Sequence, residues 1–139
     1  MFSSFEAALA GWQGKPLFQS WHPAVLRDYV YQGLVERSDG QVELRCSPEI
    51  EVAVFAGARG YDLFPVAERI TALTRICWAE RGDFSLDTYR ALAGLIQHAQ
   101  VGTVPTGHLV PMERPDLAAQ LIRDLAAEAP TTPGGRYQQ

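Results

Sequence analysis

The sequence has no long apolar run. No stretch approaches the roughly 18 residues that a membrane-spanning helix needs. The N-terminus, "MFSSFEAALAGW", has neither the basic start nor the long apolar centre of a secretory signal. Cysteine is scarce, two in 139 residues. Cys46 and Cys77 lie far apart with no metal-type spacing, so reduced thiols in a cytoplasmic protein are the expectation. Charge is not concentrated either. Twelve Lys and Arg against sixteen Asp and Glu give a net charge of −4, with both signs scattered along the chain. There is no basic stripe for nucleic acid and no basic amphipathic helix for a membrane surface. "ARGYD" has too few glycines, and no lysine or serine, for a phosphate loop. No internal repeat or low-complexity segment is present.

What is there is globular. A composition of 47% hydrophobic and 20% charged residues over 139 positions is enough for one domain with a real core. Residues 3 to 10 read as a short helix, with Ser3 and Glu6 at capping-box spacing and Gly11 as its stop. "HPAVLRDYVYQG" (22–33) reads as a second, with Pro23 in the first turn and Gly33 just past the end. Asp39-Gly40 centres a hairpin over 34–44. "SPEIEVAVFAG" (47–57) is a third helix, capped by Ser47 and ended by Gly57. Residues 58 to 69 form a loop with one helical turn.

The pattern then changes. "TRICWA" (74–79) and "AQVGTV" (99–104) have strand character. Between them, "SLDTYRALAGLIQ" (85–97) is a helix capped by Ser85, apolar at Leu86, Tyr89, Leu92, Ala93 and Ile96. "RPDLAAQLIRDLAAEA" (114–129) is the strongest helix, with Leu117, Ala118, Leu121, Ile122 and Leu125 on its apolar face. Residues 130 to 139 are a flexible tail. Strand, helix, strand, helix predicts two parallel neighbours joined by a crossover. A soft boundary falls near residues 58 to 70.

In an open parallel sheet, chemistry sits outside the carboxyl ends of the strands. Two loops leave those ends here. "AERGDFS" carries Asp83, and "PTGHLVP" carries His108. Strands about 5 Å apart bring the two loops within reach. Asp83 could then orient the His108 imidazole and stabilise its protonated form, which is two thirds of a nucleophile–histidine–acid triad. Glu80 and Asp87 compete with Asp83 for the acid role, although Asp87 also suits the first turn of the helix that follows. Glu113 reads as an anchor for the histidine loop or the last helix. His22 reads as a helix-start residue, His98 as a surface residue and Cys77 as a small core residue. No metal ligand set is recognisable.

"ITALTRICWAERGDFS", followed by "VPTGHLVPMERPDLAAQLIRDLAA", resembles the C-terminal portion of an α/β-hydrolase: a strand, a turn and the catalytic acid, then the last strand, the catalytic histidine loop and the final helix. "WHPAVLRDYVYQGLVERSDGQVELRCSPEIEVAVF" resembles the later part of that family's helical cap and its return to the core. The likeness runs from about residue 18 to residue 128. It implies a partial α/β-hydrolase fold: a helical cap-like segment with a small hairpin (1–57), then a C-terminal lobe of the core (58–129) built as a strand-helix-strand-helix parallel unit. It casts His108 as base and Asp83 as acid. Trp21, Phe18, Trp12 and Tyr29 would line an acyl or aromatic pocket beneath the cap, the alternative being ordinary packing within it.

The family places its nucleophile on a G-x-S-x-G elbow upstream of the cap. None of Ser3, Ser4, Ser20, Ser38, Ser47 and Ser85 has glycines two before and two after, and neither cysteine sits in such a turn. Other departures are Leu73 where proline is more usual, Arg75 inside a strand where an apolar residue is expected, and Ala79 where glycine is common. The expected function is that of a hydrolase fragment acting on an ester or similar bond in a small molecule, with acid and histidine but no nucleophile. The rival is a non-catalytic remnant serving as a small binding or interaction domain. No cofactor or metal is implied. Partners would be the small-molecule substrate and either a second copy, through an exposed sheet edge, or the missing N-terminal half.

Overall fold

The computed structural model describes residues 1–58, 62 and 64–129. Most of "ARGYD" and the expected tail over 130–139 lie outside the described residues. The elements run in order as α1 (Phe5–Gln13), a 3-10 turn (Pro16–Phe18), α2 (Pro23–Gly33), β1 (Leu34–Glu36), β2 (Val42–Leu44), α3 (Pro48–Ala58), α4 (Phe64–Ala67), β3 (Thr74–Arg81), α5 (Leu86–Leu95), β4 (Ala99–Gly107), α6 (Val110–Glu113) and α7 (Pro115–Glu128). No described helix is long and apolar enough to cross a membrane.

The first half is helical around one hairpin. α1 starts one residue later than the capping pattern predicts, because Ser4 and not Ser3 is the cap: its Oγ accepts the Ala7 N–H at 3.1 Å. The helix also runs through Gly11 to Gln13. A glycine inside a helix costs about 1 kcal/mol, and the extra turn offsets this by burying Trp12. Gly33 is likewise the last residue of α2 rather than a left-handed cap, since Leu34 turns directly into the hairpin. α3 continues past Gly57 to Ala58.

Gly40 holds the positive φ that the hairpin turn requires, 78°. Asp39 Oδ1 accepts the Gln41 N–H at 3.0 Å and completes that turn. Phe2 extends the hairpin edge by exchanging two backbone hydrogen bonds with Val42. Ala8, Trp12, Trp21, Leu26, Val30, Leu34 and Val42 form one buried cluster. Leu109 and Met112 from the second half pack onto it, and the His22 N–H donates to Met112 O at 2.8 Å. The core of the helical half therefore reaches the histidine loop.

In the second half β3 and β4 pair in parallel, from Thr74 opposite Ala99 to Ala79 opposite Val104, with α5 as the crossover. Ser85 caps α5 as the sequence predicts, its Oγ accepting the Thr88 N–H. Both strands are longer than their apolar runs. β4 passes Pro105 and ends at Gly107, and Arg81 pairs with Gly107, so β4 carries one extra residue at its end. The irregularity falls between Val104 and Gly107, a stretch that includes Pro105, which has no N–H to give the ladder.

Arg75, unexpected inside a strand, sends Nη2 to both carboxylate oxygens of Glu128 near the end of α7, at 2.9 and 2.7 Å. That contact ties the strand to the last helix. Ile122 is 69% exposed and not on the covered face of α7. Cys46 and Cys77 are free thiols, and burial pushes the Cys77 thiol up from its ordinary value.

Candidate functional site

The strand ends place the site. β3 finishes at Arg81, and Gly82 turns the chain with its N–H on Ala79 O at 3.0 Å. Asp83 and Phe84 follow on the surface before Ser85 caps α5. Trp78 Nε1–H donates to Phe84 O at 2.8 Å and holds this loop back against its own strand. β4 finishes at Gly107, and His108 is the first residue beyond it.

The two loops touch. A methyl group on Gly82 would sit 3.8 Å from His108 Cα and only 3.2 Å from Ala79 O. The Phe84 ring lies 5.7 Å from the His108 imidazole, centroid to centroid, at 53°. His108 and Asp83 are both exposed, on adjacent loops at the same end of the sheet. No hydrogen bond joins their side chains in this structure, in which Phe84 is the aromatic neighbour of the imidazole. Among the described residues no three His, Cys, Asp or Glu side chains come together as a metal-binding group.

Glu113 anchors the histidine loop. Its Oε1 accepts the Gly107 N–H at 2.9 Å, and its Oε2 pairs with Arg81 Nη2 at 3.1 Å. Arg81 Nη1 also donates to Pro105 O at 2.9 Å. The Glu113 side chain is only 9% exposed. No local sequence signal marks Arg81 for this contact. A strand-terminal arginine is ordinary in sequence, and its partners lie 24 and 32 residues away.

A cleft of about 260 Å³ opens over this arrangement. Arg81, Gly107, His108, Leu109 and Glu113 line one side, and Leu17, Ser20 and Trp21 line the other. Its size is near the lower end for small-molecule pockets, about 300 Å³. Of the four aromatic residues expected to line a pocket, Trp21 reaches this cleft. Trp12, Phe18 and Tyr29 pack behind it. The ring centroids of Trp12 and Phe18 are 5.3 Å apart, those of Phe18 and Trp21 5.0 Å, and those of Trp21 and Tyr29 5.2 Å. The cluster holds Trp21 at the cleft wall. Leu17 and Ser20 were not legible as lining residues, because nothing in their local sequence reports what faces them.

No family model matches the chain, and no curated protein sequence does. Solved structures do. E-2-(acetamidomethylene)succinate hydrolase superposes with a TM-score of 0.78 at 19% identity, covering 91% of this chain and 47% of its own. The peroxisomal α/β-hydrolase Lpx1 from Saccharomyces cerevisiae superposes with a TM-score of 0.68 at 16% identity, covering 99% of this chain and 40% of its own. The chain thus spans less than half the length of either structure. At these identities the likeness speaks to fold. The strand-helix-strand-helix unit with its preceding helices is the C-terminal portion of an α/β-hydrolase fold.

Proposed function

We propose that this chain supplies the acid and histidine of an α/β-hydrolase site that cleaves an ester or similar bond in a small molecule. The observation that carries the reading is the position of His108. It leaves the carboxyl end of β4 beside the loop that carries Asp83, and it opens into a cleft walled by Trp21. In the complete site a serine outside these residues attacks the acyl carbon. His108 takes the serine proton, gives it to the departing alkoxide as the ester bond breaks, and then takes a proton from the water that hydrolyses the acyl-enzyme. Asp83 fixes the imidazole tautomer once the loops close up, since catalytic hydrogen bonds commonly shorten only when substrate is bound. Backbone N–H groups beside that serine would form the oxyanion hole.

The experiment pairs this chain with the reading frame upstream of its Met1 codon and follows an activated aryl ester. A frame encoding a G-x-S-x-G turn is expected, and the joined protein should hydrolyse the ester. His108→Ala should then reduce turnover about 1,000-fold or more. The reading fails if the chain alone shows His108-dependent turnover, because the nucleophile would then lie within it. It also fails if the upstream frame is closed and no adjoining frame encodes the turn.

A second reading, a small interaction domain in a cytoplasmic setting, is favoured by α3. Ile50, Val52, Val54 and Phe55 are between 56% and 67% exposed on that helix. Such a surface matches a protein contact better than solvent, as does the open edge of a two-stranded sheet. Pairing with the remaining strands of the fold, or with a second copy, would cover both features.

A further inference from the structure

We propose that Arg81 is a positioning residue for His108, acting through Glu113 and Gly107. The inference rests on the reading of His108 as the base, and its test needs no turnover. The three residues are each the last of their element: Arg81 of β3, Gly107 of β4 and Glu113 of α6. Glu113 reaches back six residues to the Gly107 N–H and closes the segment 107–113 into a ring, with His108 next to the closure. Arg81 fastens this ring to the neighbouring strand through two acceptors, Pro105 O at 2.9 Å and Glu113 Oε2 at 3.1 Å. Arg81 is also two residues from Asp83. One guanidinium therefore ties the loop carrying the acid to the loop carrying the histidine.

The chemistry suits arginine. Its planar fork presents two N–H groups at a fixed spacing to a carbonyl and a carboxylate at once, which a lysine ammonium does less well. The Glu113 carboxylate is nearly buried, so its charge needs a partner. Without Arg81 the carboxylate would turn toward water and give up the Gly107 N–H, releasing the ring. The cleft side of His108 would then lose its fixed wall, because Arg81 and Glu113 line that cleft themselves.

The test is nuclear magnetic resonance on the labelled full chain, with the His108 ring signals assigned through His108→Gln. In the wild-type chain the His108 ring should show a cross-relaxation peak to Phe84 and ring-current-displaced shifts. In Arg81→Gln the peak should vanish and the shifts should move to those of a free histidine, while the methyl signals of buried Val30 and Leu34 stay in place. Arg81→Lys should restore part of the peak. Glu113→Gln, which keeps an oxygen for Gly107 but removes the charge, should give an intermediate loss and serves if Arg81→Gln does not fold. The proposal is overturned if the Phe84–His108 peak keeps its full wild-type intensity in Arg81→Gln or, where that variant does not fold, in Glu113→Gln, even with a lower melting temperature, because the clamp would then only stabilise. That result would leave the base role of His108 to be judged by ester turnover alone.

Discussion

Glu113 Oε1 accepts the Gly107 N–H at 2.9 Å and occupies the space that a side chain on Gly107 would need. The glycine before the histidine is therefore a matter of room and not of backbone conformation, since Gly107 does not have a positive φ. Gly107→Ala should cost about 1–3 kcal/mol by overpacking. In a Glu113→Ala background the same substitution should cost almost nothing. Urea unfolding of the two single variants and the double variant measures this coupling. Simple additivity would mean that the methyl group finds another place.

The exposed apolar side chains of α3 lead to a second expectation. Sedimentation velocity of the chain should show a concentration-dependent shift to larger species. Replacing Val54 with Lys and Phe55 with Glu should move the population toward monomer. Both positions are exposed, so each change should alter stability by no more than about 0.5 kcal/mol. A monomer at every concentration, with or without the substitutions, would remove α3 as a contact surface.

The start of α7 has its own acid sensitivity. Arg114 grips both oxygens of Asp116, Nε to Oδ1 at 3.0 Å and Nη2 to Oδ2 at 2.8 Å. These bonds, with a second contribution from the Leu117 N–H, lower the Asp116 carboxyl from 3.8 to about 2. The folded value lies below the unfolded one, so the ionised form favours the folded state. That contribution is complete above 3.8 and is lost as pH falls through about 2. Asp116→Asn should flatten this part of the stability profile, read as urea midpoints at successive pH values. Parallel profiles for the two proteins across that window would contradict the assignment.

Much of the fold was legible because its signals are local. Ser85 caps α5 through a serine hydroxyl three residues from its target, and Asp39-Gly40 makes its turn with bonds two residues long. The parallel pairing of β3 and β4 followed from the helix between them. The misplaced boundaries have tertiary causes. α1 outlasts Gly11 because Trp12 is buried by rings from elsewhere, Phe2 at 5.7 Å and Phe18 at 5.3 Å. β4 outlasts Pro105 because Arg81, across the pair, takes up the proline carbonyl.

The sequence by itself determined the order of the main helices and strands, the sheet end from which Asp83 and His108 project, and the glycine before the histidine. These depend on caps, turns and apolar periodicity, which act over a few residues. Only the tertiary structure decided that Trp21 and not Trp12, Phe18 or Tyr29 walls the cleft, and that Arg81 joins Glu113 across 32 residues of chain. Such contacts are set by how α2, β3 and α6 pack around one core, and a side chain's neighbours in space leave no periodic mark on its neighbours in sequence.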